Sequence, residues 1–254
     1  MSGHSTSGGA PERRRTRVLG AGALLLIAAW TASLGAQERV AFRHLTIADG
    51  LSQNAVSGIV QDHRGFMWFG TKDGLDRYDG YQFVVFRHHP FDSTSISDSE
   101  ISIVFEDSRG RLWVGTRNGG LNRFDRTDER FSRVRAGPTH DITAITEDSS
   151  GAIWVSSAGD GLFRLTVDRR DEVTVHRIVH SPENPASLSA DRVNVVLVDR
   201  NGVLWVGTDA GLDRGDASSG DDVTFTHLTV RSSPPLALVD TVVTALHEDS
   251  HGRL

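Results

Sequence analysis

Aspartate, arginine and tryptophan recur through this chain at fixed mutual distances, and between them these residue types could bind a cation, an anion or the face of a sugar. Asp62, Asp107, Asp148, Asp199 and Asp249 each stand three residues before a glycine. Trp68, Trp113, Trp154 and Trp205 follow the first four of these aspartates at a constant distance. Arg77, Arg123, Arg164 and Arg214 each close a Gly-Leu-x-Arg unit. One tryptophan per repeat at a fixed strand position is the spacing of core residues rather than of a sugar platform. A repeated arginine is explained by a packed stem and a head bonded to a neighbouring turn. One carboxylate per four-residue turn is too sparse for calcium. The pair His88-His89 has no third ligand in spacing, and no His-Glu-x-x-His or Gly-x-Ser-x-Gly motif occurs. The chain is therefore expected to carry no catalytic residue, no metal and no cofactor.

Composition limits the classes further. The 254 residues carry a formal net charge of -6, which gives no electrostatic reason to expect nucleic acid. There is no cysteine, so disulfides, thiolate zinc sites and a cysteine nucleophile are excluded together. Glycine is abundant, at 26 residues without a collagen period, which points to short strands joined by tight turns. Near the start, Arg13, Arg14, Arg15 and Arg17 precede an uncharged stretch over residues 18–30 and a run of small residues to Ala36. That is the order of a secretory signal. Residues 1–36 are expected to be a signal peptide, or an uncleaved signal anchor, and either alternative exports the remainder of the chain.

The elements that must position the recurring residues are set by the period. Around the tryptophans the segments Gly65-Phe66-Met67-Trp68-Phe69-Gly70-Thr71 and Gly110-Arg111-Leu112-Trp113-Val114-Gly115-Thr116 correspond. Residues 151–157 and 202–208 repeat them. Before each Asp comes a β-branched segment, marked by Val56 and Ile59, Ile101 and Val104, Ile142 and Ile145, Val193 and Val196, and Val243 and Leu246. Asp-x-x-Gly is a turn with its preferred residues. The Trp segment is a second strand, Gly-Leu-x-Arg opens a third, and 82–87, 130–135, 173–179 and 223–230 read as a polar fourth. Four antiparallel strands in such a period make one propeller blade.

The expected fold is all-β, a β-propeller of four-stranded antiparallel blades preceded by an N-terminal signal helix. Blades are expected at about 47–91, 92–140, 141–187 and 188–239, with a partial fifth at 240–254, all within an incomplete propeller over 37–254. Phe42-Arg43-His44-Leu45-Thr46 matches Phe225-Thr226-His227-Leu228-Thr229 in a fourth strand. A strand over 40–46 is therefore expected to belong to a last blade that lies outside this sequence. On this reading the chain is an N-terminal fragment with open sheet edges and poor solubility.

The motifs Asp49-Gly50-Leu51-Ser52, residues 62–71 and Gly74-Leu75-Asp76-Arg77-Tyr78-Asp79-Gly80 resemble the two-component regulator propeller repeat. Residues 182–189 resemble that family's linker between blades. The resemblance implies a periplasmic sensor region that binds an extracellular small molecule or oligosaccharide. It also implies that further blades, a membrane helix and a histidine kinase belong to the same receptor, which works as a dimer.

Binding residues should differ from blade to blade, because a ligand lacks the blade symmetry that scaffold residues share. The loops between second and third strands do differ, and they lie on the face shared with the linkers. Lys72, Asp73, Arg117, Asn118, Asp160 and Asp209 are the expected ligand-face residues. The favoured function is a non-enzymatic ligand-sensing module of a membrane-tethered, exported receptor. The alternatives are a secreted propeller enzyme, such as a lyase or glycan hydrolase, and a stand-alone interaction scaffold.

Overall fold

In every blade a β-branched first strand runs into an Asp-x-x-Gly turn, and that turn explains why Asp and Trp recur together. Oδ1 of Asp62 accepts the N–H groups of Arg64 and Phe66, at 3.0 Å each, and Oδ2 accepts the indole N–H of Trp68 at 2.8 Å. One carboxylate thus shapes the turn and satisfies the only polar atom of a buried tryptophan side chain. Trp113 and Trp154 donate to Asp107 and Asp148 at 2.8 Å, and Trp205 to Asp199 at 2.9 Å. The glycine that closes each turn has a positive φ, from 75° at Gly110 to 91° at Gly65, where a side chain would be strained.

The computed structural model describes residues 42–228 and 242–254. Blade one consists of β1 (Val56–Gln61), β2 (Met67–Thr71), β3 (Gly74–Tyr78) and β4 (Phe83–Phe86). Blade two has β5 (Ile101–Glu106), β6 (Leu112–Thr116), β7 (Leu121–Asp125) and β8 (Arg130–Arg133). Blade three has β9 (Ile142–Glu147), β10 (Ile153–Ser157), β11 (Gly161–Val167) and β12 (Val173–Ile178). Blade four has β13 (Val193–Val198), β14 (Val203–Thr208), β15 (Gly211–Asp216) and β16 (Thr226–Leu228). In each blade the strands pair antiparallel in chain order, as a meander. The expected all-β architecture of four-stranded blades is what the chain adopts.

Blades meet through their inner strands, and related contacts recur at successive seams. Gly70 and Gly115 in the second strands leave room for Ile101 and Ile142 of the next blade. A Cβ on Gly115 would stand 2.6 Å from the Cβ of Ile142, so the sheets could not approach this closely. Trp68, Trp113 and Trp154 are fully buried in the clusters that result. Across the seams, the N–H of His63 donates to Glu106 at 2.8 Å, that of Ser108 to Glu147 at 2.7 Å and that of Arg200 to Glu248 at 3.1 Å. Arg77 lies over Trp68 and reaches Glu129 of blade two at 2.6 Å. Arg123 reaches Asp171 at 2.8 Å and Arg164 reaches Asp221 at 3.0 Å in the adjoining blades.

Some expected elements come out differently. Residues 42–46 form no strand; among the described residues none stands beside them as a ladder partner, and Thr46 instead caps a short 3₁₀ turn at Ile47–Asp49. Residues 242–249 also form no strand, although the Val243 N–H reaches the Thr208 carbonyl at 3.0 Å. The fifth turn nevertheless closes, with Asp249 accepting the N–H groups of His251 and Arg253. A turn of this kind is satisfied by its own residues, whereas a strand needs a neighbour. The signal segment at 1–36 and residues 229–241 lie outside the described residues.

Candidate ligand face

The linkers between blades are held against the loops that join second and third strands, and this creates one continuous face. The Ser52 N–H donates to Asp76 at 2.9 Å, and Ser52 Oγ lies 2.7 Å from Thr71 Oγ1. In blade two the Ser97 N–H donates to Asn122 at 3.1 Å, and in blade four the Ser189 N–H donates to Asp213 at 2.8 Å. Burial pushes the Asp76 carboxyl above its ordinary value, against the hydrogen bonds from Ser52 that favour its charge. In blades two to four the residue just before the first strand is also tied to the loop. The Arg117 N–H donates to the Glu100 carbonyl at 2.9 Å, that of Ala158 to Asp141 at 3.0 Å and that of Asp209 to Arg192 at 3.3 Å.

This geometry lays charges of alternating sign across three blades. The Arg117 guanidinium stands 3.7 Å from Glu100 and 3.9 Å from Asp141 of the next blade. Arg192 lies 3.2 Å from Asp209, which also accepts from the Asn194 amide at 2.8 Å. Burial pushes the Asp141 carboxyl up, with Arg117 pulling the other way. Such a row offers donors and acceptors side by side, which suits a ligand with many hydroxyl or amide groups.

Of the six loop residues expected from the sequence, five are exposed on this face. Lys72 forms no ion pair there among the described residues, while Asp73 pairs with Arg87 at 3.0 Å. Asn118 donates to Asp98 from both its backbone and its side chain, at 3.1 and 3.2 Å. Arg117 and Asp209 belong to the charge row. Asp160 is placed differently, with its carboxylate buried and accepting the N–H groups of Thr139 and His140 at 2.8 and 2.9 Å. Burial pushes this group up, but the His140 ring and those N–H groups outweigh it and hold Asp160 well below the usual carboxylate range. The reason lies three residues on. Phe163 occupies the position of Asp76, Asn122 and Asp213, so blade three fastens its linker with Asp160 instead.

Glu100, Asp141, Arg192 and Asn194 complete the face, and the sequence alone does not single them out. A signal is present in it, since the residue before the first β-branched position is Ala55, Glu100, Asp141 and Arg192 in successive blades. Among the described residues no group of three or more acidic or histidine side chains is arranged to hold a metal. No helix among them is long and apolar enough to cross a membrane.

The model of the two component regulator propeller family matches residues 50–73, 95–118 and 187–210. Each match runs from a linker serine region through the Asp turn and Trp strand to the loop of the ligand face. At these three segments the chain is similar to two-component regulator propeller repeats. Blade three, where Phe163 and Asp160 depart from the pattern, lies outside the matched residues. The curated protein Histidine kinase P4 from Formosa agariphila is 43% identical over 81 residues, which are 32% of this chain and 6% of that protein. The extracellular domain of the hybrid two component system BT3049 from B. thetaiotaomicron is 25% identical, with a TM-score of 0.64. The match covers 83% of this chain and 28% of that one. The extracellular domain of BT4673 from the same organism shares the fold at 24% identity and a TM-score of 0.59, covering 74% of this chain and 27% of that one. This chain spans less than a third of the length of each.

Proposed function

We propose that this propeller is the extracytoplasmic ligand-sensing part of a two-component receptor and that it performs no catalysis itself. The observation that carries the reading is the charge row Glu100, Arg117, Asp141, Arg192 and Asp209, which varies between blades on a scaffold that does not. The likeness to extracellular domains of hybrid two component systems supports the receptor context. On this reading the ligand is a soluble polyhydroxylated molecule such as an oligosaccharide, the chain is exported, and a kinase and dimer contacts lie elsewhere in the receptor. Against the reading of a lyase or glycan hydrolase stands the chemistry of the face, where the carboxylates lie beside arginines rather than as a separated acid and base.

The test is a receptor carrying this chain, with a transcriptional reporter and a panel of polysaccharide digests. Arg117→Ala and Arg192→Ala should raise the digest concentration needed for half response while leaving the protein's melting temperature within a few degrees. Hydrolysis or elimination of a digest by the purified chain would overturn the non-catalytic reading.

A further inference from the structure

The opposite face, at the Asp-x-x-Gly turns, holds a site where one seam between blades departs from the others. Three of the turn aspartates carry a guanidinium. Arg126 of blade two reaches back across the seam to Asp62 and on to Glu106 at 2.6 Å. Arg111 lies 2.6 Å from Asp107, and Arg253 lies 2.7 Å from Asp249. Asp199 has no cation within ion-pair distance among the described residues, but it is partly open to solvent. Asp148 is 7% exposed and also has none among them. The positions that would supply one are Ala152, which corresponds to Arg111, and Ala217, which corresponds to Arg126. The seam is shortened at a third place, because Val198 stands where Glu106, Glu147 and Glu248 clamp the other seams.

At the Ala217 truncation a cavity of about 350 Å³ opens between blades three and four, lined by Asp148, Ser149, Ser150, Arg164, Asn201 and Ala217 among others. Its chemistry is that of the filled seams with the cation removed. Asp148 Oδ2 accepts only the Trp154 indole, whereas Asp62 Oδ2 accepts both Trp68 and Arg126. Arg164 on the wall is engaged by Asp221 across the seam, while its Nε is buried without a hydrogen-bond partner.

We infer that this cavity binds a guanidinium or ammonium group presented from outside, on a small molecule or on a peptide side chain. The incoming cation takes the place that Arg126 holds between blades one and two. The site is separate from the ligand face, so it stands or falls independently of the proposed sensing function.

The Trp154 indole N–H, bonded to Asp148, is a built-in reporter for ¹⁵N NMR on the full chain. L-arginine should move that resonance saturably and leave those of Trp68 and Trp113 unmoved, and the neutral isostere L-citrulline should bind roughly tenfold more weakly or worse. A tripeptide Gly-Arg-Gly separates the two sources: a shift matching free arginine supports a peptide side chain, and a shift with arginine alone supports a small molecule. Ala217→Arg, which rebuilds the Arg126 arrangement, should abolish the arginine-induced shift. Ala152→Arg, which rebuilds the Arg111 arrangement, should do the same and serves if the first variant does not fold. Equal response to citrulline, no saturable shift at Trp154, or undiminished arginine binding in a folded filled-cavity variant would overturn the inference.

Discussion

A turn aspartate in this chain answers three demands at once: it accepts two backbone N–H groups and the indole of a tryptophan six residues on. Trp113 is fully buried, so Trp113→Ala should cost about 3 to 5 kcal/mol by chemical denaturation, leaving a cavity and removing the indole donor from Asp107, which keeps Arg111. The charge state matters too. For Asp62 and Asp199, burial pushes the carboxyl up, but the indole and the Arg126 guanidinium at Asp62, and the indole and backbone N–H groups at Asp199, outweigh it and hold each group below the ordinary 3.8. Asp160 behaves the same way. Folded-state values below the unfolded ones mean that unfolding takes up protons, so this stability is complete above the unfolded value and lost as pH falls through the folded ones. Melting temperature should therefore decline progressively below about pH 4. A rise on acidification would contradict the assignment. Asp141 has the opposite sign: burial raises it, so its charge disfavours folding once ionised. Asp141→Asn should leave the melting temperature unchanged or higher at neutral pH, which marks a residue kept for something other than stability.

At the scale of the element, the four strands of each blade and the turns between the first two were legible because local chemistry repeats them. Fourth strands were legible only in outline. The stretch expected at 82–87 forms Phe83–Phe86, and that at 130–135 forms Arg130–Arg133, because edge strands lack a second neighbour to define their ends. The geometry of the candidate face was half legible. Loop residues could be selected by their variation, but Glu100 and Asp141 come together only when adjacent blades are packed in space. The burial of Asp160 depends on Phe163, a change that stood in the repeat yet has meaning only once the partner of the neighbouring positions is known to be a linker serine. Glycine in the second strand is the element-scale feature with the sharpest prediction. Gly115→Ala should destabilise by about 1 to 3 kcal/mol, since Ile142 and Ile103 occupy the space a methyl needs. The same substitution at Gly65, with nothing within 4 Å, tests φ strain alone.

At the scale of the whole molecule, blades one to four share seams of one design, with departures concentrated around blade three. There the linker is fastened by Asp160, the second-strand glycine is replaced by Ser156, and the seam to blade four lacks its glutamate clamp. A scaffold otherwise so regular places its variation at two places, the candidate ligand face on one side and the unfilled seam on the other. The central claim is that the charge row on the linker face recognises the signal. Its most direct test is the dose-response of a receptor bearing Arg117→Ala, Asp141→Asn and Arg192→Ala together, measured against an activating digest and beside Arg130→Ala, an exposed arginine outside the face, as control. The account predicts a right-shift of roughly tenfold or more for the triple variant at unchanged melting temperature, with no shift for the control. An unaltered dose-response in a folded triple variant would contradict it.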